Sequence, residues 1–254
     1  MSAIAISLIA FASIFCGTML GMFLRTLLPE HHMSADSKDV MMMGTGMMAT
    51  LSALVLGLMI SSAKGSFDTL RNGLEQVGAE IIMLDLTMAD YGPETKESRD
   101  ILRLSIMSTI ERLWPAEKTI GMETVGQIEI GFKKLEQKLQ QMSPRNDKQR
   151  RLRSRALQIV YEIKARRWIL FENLGQSSLP TPFIVLLVCW LTIIFFSFGL
   201  LAGRGNATVI TILFVCALSA SSALFVILDM DQPYGGVIRI SSAPLQNALA
   251  RLGQ

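Results

Sequence analysis

The sequence predicts an all-α, polytopic membrane protein with four transmembrane helices in two hairpins and an α-helical cytoplasmic bundle. Three observations carry this expectation. Four long runs hold no charged residue: Ala3–Leu24, Val40–Ala63, Pro182–Gly203 and Ala207–Leu228. As helices rising 1.5 Å per residue they span roughly 33–36 Å, enough for a hydrocarbon core of about 30 Å. The composition divides in the same way. Charged residues are 18% of the 254, yet all 45 lie in the 164 positions outside the runs, about 27% of them, close to the soluble norm of roughly 25%. Finally, the polar middle segment Lys64–Thr181 shows no useful stretch of strand-like alternation. The predicted organisation is a first hairpin at 1–63, a cytoplasmic helical region at 64–181, a second hairpin at 182–228 and a cytoplasmic tail at 229–254.

The first run has no Lys or Arg before Arg25 and no clean small-residue cleavage site. It reads as a retained span rather than a secretion signal. The loop Arg25–Asp39 contains the two histidines, His31 and His32, with Asp36 nearby. Adjacent side chains point about 100° apart on a helix, so no metal site is expected there.

The second run opens on Met41, Met42, Met43, Met47 and Met48. With no Cys or His at helical spacing beside them, these thioethers read as packing or as a hydrophobic constriction rather than a copper site. Gly46, Thr50, Ala53, Gly57 and Ser61 fall on one face, and Ala53, Gly57 and Ser61 form a small-xxx-small helix-packing seam. A neighbouring face carries Thr45, Met48, Ser52, Val55, Met59 and Ser62, the candidate pore-lining set, with hydroxyl steps between soft apolar groups. The bland alternative for that face is a buried side of a four-helix bundle, its hydroxyls bonded back to the backbone.

The helix is expected to continue beyond the span. Phe67, Leu70, Leu74, Val77, Ile81, Leu84 and Met88 keep an alternating 3, 4 spacing, a heptad stripe. The stripe suits an intramolecular bundle or self-association around an axis. Gly92-Pro93 should end the helix. Further helices are expected over Glu94–Trp114, Ala116–Met142 and Arg145–Asn173, separated by Pro115 and Ser143-Pro144. The run Arg145–Arg155 has six basic residues and one acid. It reads as a solvated face, or as a contact for anionic lipid, phosphate or other anions through Arg150, Arg151, Arg153 and Arg155. Arg166-Arg167-Trp168 reads as an interfacial anchor.

Thr181-Pro182 opens the third span, and Gly203–Asn206 supplies a turn and a cap for the fourth. In the tail, Ser242 is placed to cap a short helix with Leu245, Ala248, Leu249 and Leu252 on one face, packed on the bundle or lying at the interface. Four crossings put both termini and the middle segment on one side. Six basic residues flank the spans on that side (Lys64, Arg71, Lys164, Arg166, Arg167, Arg239) against Arg25, Lys38 and Arg204 on the other. The positive-inside rule makes that side cytoplasmic.

No nucleophile–base pair, phosphate loop or dinucleotide fingerprint is present, so neither an enzyme nor a cofactor is expected. Cys16, Cys189 and Cys216 each sit within a span and read as packing residues. A net charge of +3 gives no reason to expect a nucleic-acid partner. Charge-free spans argue against pumps and proton-coupled transport. They leave a pore gated by apolar groups, or a scaffold.

Several stretches together resemble a bestrophin-like domain family of bacterial membrane proteins, a domain of unknown function. They are Ala53–Asp68 (ALVLGLMISSAKGSFD), Tyr91–Thr95 (YGPET), Asn206–Ile210 (NATVI), Leu228–Gly236 (LDMDQPYGG) and Ile240–Leu245 (ISSAPL). Asp229, Asp231, Pro233, Tyr234 and Gly235 resemble the turn after the last span of bestrophins, which are pentameric anion channels. The acidic run that follows and binds calcium in animal bestrophins is absent here, since Gly236–Ser241 holds no carboxylate. The resemblance implies an oligomer, a pentamer by that likeness, in the bacterial inner membrane with both termini cytoplasmic. The functional expectation is an oligomeric ion channel lined by the second span. The alternative is a non-conducting scaffold or signalling partner acting through the cytoplasmic bundle.

Overall fold

The structure is a computed structural model, and it describes residues 2–28, 34–114, 122–172, 180–202, 207–232 and 235–253. Among these there are eight α-helices and no strand: α1 (Ala3–Leu27), α2 (Ala35–Tyr91), α3 (Lys96–Leu113), α4 (Met122–Gln141), α5 (Asp147–Glu172), α6 (Thr181–Leu201), α7 (Ala207–Met230) and α8 (Ala243–Arg251). The charge-free runs fall in helices α1, α2, α6 and α7, the third run as far as Leu201, and each helix is long and apolar enough to cross a membrane. The readings at His31, His32, Pro115, Gly203, Gly205 and Asn206 lie outside the described residues, as does the side chain of Trp168.

The chain divides into two compact units. The membrane unit contains α1, the first part of α2 to Ser66, α6 and α7. Its core has one layer built from Ala3, Ala10, Met59, Ala63, Leu187, Leu224 and Ile227, and a second from Ile14, Ile194, Phe195 and Ala217. Lipid offers the backbone no hydrogen bonds, so buried hydroxyls turn back on their own helices. Ser7 donates to the Ala3 carbonyl at 2.8 Å, Thr18 to Ile14 at 3.1 Å and Ser221 to Ala217 at 2.9 Å.

Between α1 and α6 the backbones touch. A methyl at Gly21 would meet the Phe196 carbonyl oxygen, one at Gly199 the Thr18 carbonyl oxygen, and one at Gly17 the Thr192 side chain at 2.9 Å. Successive steps of four along both helices show that α1 and α6 run in the same direction, as expected of the first and third spans of a four-span chain. Close approach without side chains maximises dispersion contact where no hydrophobic force drives helices together. Thr181 is the first residue of α6 rather than its cap. Pro180 holds the capping position, without a side-chain bond.

The second unit contains α2 from Phe67, then α3, α4, α5 and α8. The heptad stripe is its core. Leu70, Leu74, Val77, Ile81, Leu84 and Met88 are all buried, with Leu102 and Ile106 of α3, Leu135 and Leu139 of α4, Ile159 and Ile163 of α5, and Leu245 and Ala248 of α8. The stripe therefore serves intramolecular packing. The tail helix also docks on this bundle, and Trp114 Nε1 donates to the Ile240 carbonyl at 2.7 Å. Ser242 makes no capping bond to the α8 backbone. Ser241 does so instead, accepting from the Ala243 N–H at 3.1 Å.

The long helix stops where the sequence says it should. Gly92 has φ +132°, a conformation that disfavours any side chain. Past it, a 3₁₀ turn over Pro93–Thr95 brings the buried Thr95 hydroxyl within 2.6 Å of the Met88 carbonyl. Gln149 adds a bond to the Tyr91 carbonyl at 3.1 Å, so two of the last orphan carbonyls of α2 are satisfied by side chains. Thr95→Val keeps the shape and removes the donor. It is expected to cost about 1–2 kcal/mol, read as a lower unfolding midpoint in detergent.

Candidate functional site

The helix α2 presents different chemistry on its several faces. At 100° per residue, the side holding Thr45, Met48, Ser52, Val55, Met59 and Ala63 is in line with the heptad stripe farther along. Thr45, Ser52, Met59 and Ala63 are buried. Val55 and Met48 pack against the two apolar layers of the membrane unit. Ser62 is exposed. Five of the six residues expected to line a pore thus face the chain's own bundle. One polar atom on this side is unsatisfied: Ser52 Oγ is buried with no hydrogen-bond partner among the described residues.

The seam expected to pack helices together is exposed. Gly46, Thr50, Ala53, Gly57 and Ser61 all lie on the surface. A Cβ added at Gly46 or Gly57 would have no atom within 4 Å, and the Thr50 hydroxyl bonds back to the Gly46 carbonyl at 3.0 Å. Within the single chain, then, the expected pore-lining side is mostly covered and the expected packing seam is open. The exposed surfaces of α1 and α6 present mainly large side chains, such as Leu8, Leu20 and Phe23 on α1 and Val185 and Ile193 on α6. That of α7 is mixed, with Thr211, Ser219 and Ser222 exposed among Ile212, Val215 and Leu218. Large side chains of that kind suit lipid tails, whereas a row of glycine, alanine and hydroxyl residues gains little from them. Beside the small row, Met47, Leu51, Leu54 and Leu58 are exposed on α2 itself, so the small face is a narrow strip.

The turn after α7 is built around Asp229, which is 3% exposed. Its Oδ1 accepts from the Val237 N–H at 2.9 Å and its Oδ2 from the Ile238 N–H at 2.7 Å. Gly236 lies against it, so that a Cβ there would meet the carboxylate at 2.6–2.9 Å. Both oxygens are thus engaged in folding the strap after the span. Asp231 and Gly235 lie on the same turn, and Asp231 N–H bonds to the Ile227 carbonyl at 3.2 Å. Pro233 and Tyr234 lie outside the described residues. The need for glycine at 236 was hidden in the sequence, where it is simply the second of a Gly-Gly pair.

A buried ion pair in the second unit was also missed. Arg99 of α3 donates from Nε and Nη2 to the two oxygens of Asp85 on α2, both at 2.7 Å. The Gly253 N–H adds a bond to Asp85 Oδ2 at 3.2 Å. The Asp85 hydrogen bonds raise the Arg99 pKa above its ordinary value against the opposing effect of burial, so the guanidinium is charged throughout. In sequence Asp85 is one more acid beside a heptad position, and only the approach of α3 reveals its partner.

The basic run opens α5. Asn146 Oδ1 accepts from the Gln149 N–H at 2.8 Å, a side-chain N-cap. Arg150, Arg151 and Arg155 are exposed, but Arg153 turns back to donate to the Met142 carbonyl at 2.9 Å.

Comparison with known proteins returned one family: the Bestrophin-like domain matches residues 12–245. No curated protein and no solved structure matches the chain.

Proposed function

Because the chain belongs to the Bestrophin-like domain family and its four apolar helices make it a membrane protein, we propose that it assembles into a homo-oligomeric ion channel. In this reading the exposed strip of α2 faces the shared axis. One observation carries the proposal: α2 exposes the row Gly46, Thr50, Ala53, Gly57 and Ser61 at steps of three and four residues, all of them small or hydroxyl-bearing. Small residues let helices converge near an axis, and hydroxyls and uncovered carbonyls offer a passing ion partial solvation. The lining thus shifts from the buried Thr45, Ser52 and Met59 to the strip opposite. Conduction along this path requires no catalytic group. A pentamer, the bacterial inner membrane and cytoplasmic termini are the arrangement the family likeness and the flanking charges favour.

Cysteine accessibility tests the reading. In a background with Cys16, Cys189 and Cys216 changed to serine, Gly57→Cys is expected to react with a membrane-impermeant thiol reagent and to lose conductance in planar bilayers when modified. Met59→Cys is expected to stay unreactive in the folded protein. Absence of conductance from purified oligomer, or equal labelling of the two positions, would refute the assignment. A non-conducting scaffold would instead show no conductance together with a specific protein partner on the second unit.

A further inference from the structure

We infer that the groove between α2 and the tail is a binding site for a long-chain carboxylate, a free fatty acid. This inference stands apart from the channel reading. The groove is an open cavity of about 680 Å³, walled by α2 between Phe67 and Ile82 and by the tail between Arg239 and Asn247, all within the second unit. Two contacts set how the tail runs along α2. It passes so close at Gly78 that a Cβ there would come within 3.0 Å of the Pro244 carbonyl oxygen. Farther on, the Gly253 N–H bonds to Asp85 at 3.2 Å. The tail therefore follows α2 in the same direction, and Arg239, which precedes Pro244, lies at the end where Arg71 precedes Gly78. Trp114 agrees with this direction: it holds the Ile240 carbonyl from the end of α3 opposite to Arg99, which pairs with Asp85. One end of the groove thus carries two guanidiniums. The other end is lined by Ala79, Ile82 and Pro244 with no charge.

The chemistry of the groove selects its occupant. Its volume is that of a small-molecule site, roughly 300–1,000 Å³, rather than of a protein interface. The tail's backbone has little to offer a peptide, because the Ile240 carbonyl is taken by Trp114 Nε1 at 2.7 Å and the Ala243 N–H by Ser241 Oγ at 3.1 Å. A ligand must therefore be held by side chains. Arg71 pairs with Glu75 at 3.2 Å, with side chains 62% and 50% exposed. So exposed a pair is weak, and a ligand carboxylate can share or replace it through the planar fork of the guanidinium. Arg71, Glu75 and Arg239 together leave one positive charge in excess, which a single carboxylate balances. The apolar end is one strip, wide enough for one chain, so a two-chain phospholipid leaves its second chain in water. Burying the chain on that strip supplies the hydrophobic part of the affinity.

The test uses the full chain in phosphatidylcholine nanodiscs and a palmitic acid bearing a diazirine on its chain, with the cross-linked peptides identified by mass spectrometry. Saturable labelling within residues 67–82 and 239–247 is expected, and excess oleate should suppress it. Arg71→Gln with Arg239→Gln should raise the half-saturating probe concentration about tenfold or more, the effect of losing charge-assisted hydrogen bonds, while leaving the unfolding midpoint in place. Ala79→Trp keeps both guanidiniums but fills the apolar end, and it should weaken labelling as well. Wild-type labelling of the groove in the double glutamine variant would overturn the proposal. So would labelling confined to the membrane unit, or competition by dioleoylphosphatidylglycerol or uncharged oleyl alcohol as effective as that by oleate.

Discussion

Gly199→Leu is expected to prevent the membrane unit from folding, with little or no monodisperse protein recovered in detergent and the remainder degraded in cells. The physical reason is local. The Cα of Gly199 lies where any Cβ would collide with the Thr18 carbonyl oxygen and come within 3.0 Å of the Met22 nitrogen. Those atoms are helix backbone and have no rotamer to yield. Overpacking in an ordinary core costs about 1–3 kcal/mol because side chains can shift. Here α1 and α6 must part, and the contacts along both helices are lost with them. Gly57→Leu is the matched control, since a Cβ at Gly57 meets nothing within 4 Å. The protomer should fold normally while conductance falls. If Gly199→Leu folds like the wild type, the close α1–α6 contact is wrong.

Asp85→Ala is expected to destabilise the second unit by about 3 kcal/mol, the lower end of the range for breaking a buried ion pair. The lower end applies because the Arg99 side chain is 24% exposed and can reach water, whereas Asp85 is 4% exposed. The Gly253 N–H loses its acceptor in the same substitution, so the tail beyond α8 should also lose protection in hydrogen exchange. Removing both charges distinguishes pairing from packing. Asp85→Leu with Arg99→Met should recover most of the loss, because no unpaired charge is left. A double variant as unstable as Asp85→Ala would mean that the carboxylate acts mainly through the tail.

Much of the fold was legible in the chain because its strongest signals are one-dimensional. A charge-free run of 22 residues has one comfortable solution in lipid, a helix. The 3, 4 stripe from Phe67 to Met88 announces a buried side, and Gly92-Pro93 announces an end. The candidate site was less legible. Whether small residues are inside or outside depends on which neighbour arrives, and Gly17 and Gly21 of α1, which do make the tightest contact, carry the same small-xxx-small signal as Ala53 and Gly57, which do not. Arg153 likewise belongs to the basic run in sequence but satisfies a helix end in space.

By itself, then, the sequence determined the spans, the continuity of α2, its termination and the helical character of the second unit, because bilayer thickness and backbone hydrogen bonding leave few alternatives. Only the tertiary structure decided which side of α2 is covered. Both sides of α2 mix hydroxyls with apolar groups, so composition does not rank them. The covering is settled by shape: the approach of α1 and α6 at Gly21 and Gly199, the fit of Met59 and Ala63 into the apolar layer beside them, and the strip of Gly46, Thr50, Ala53, Gly57 and Ser61 left on the outside.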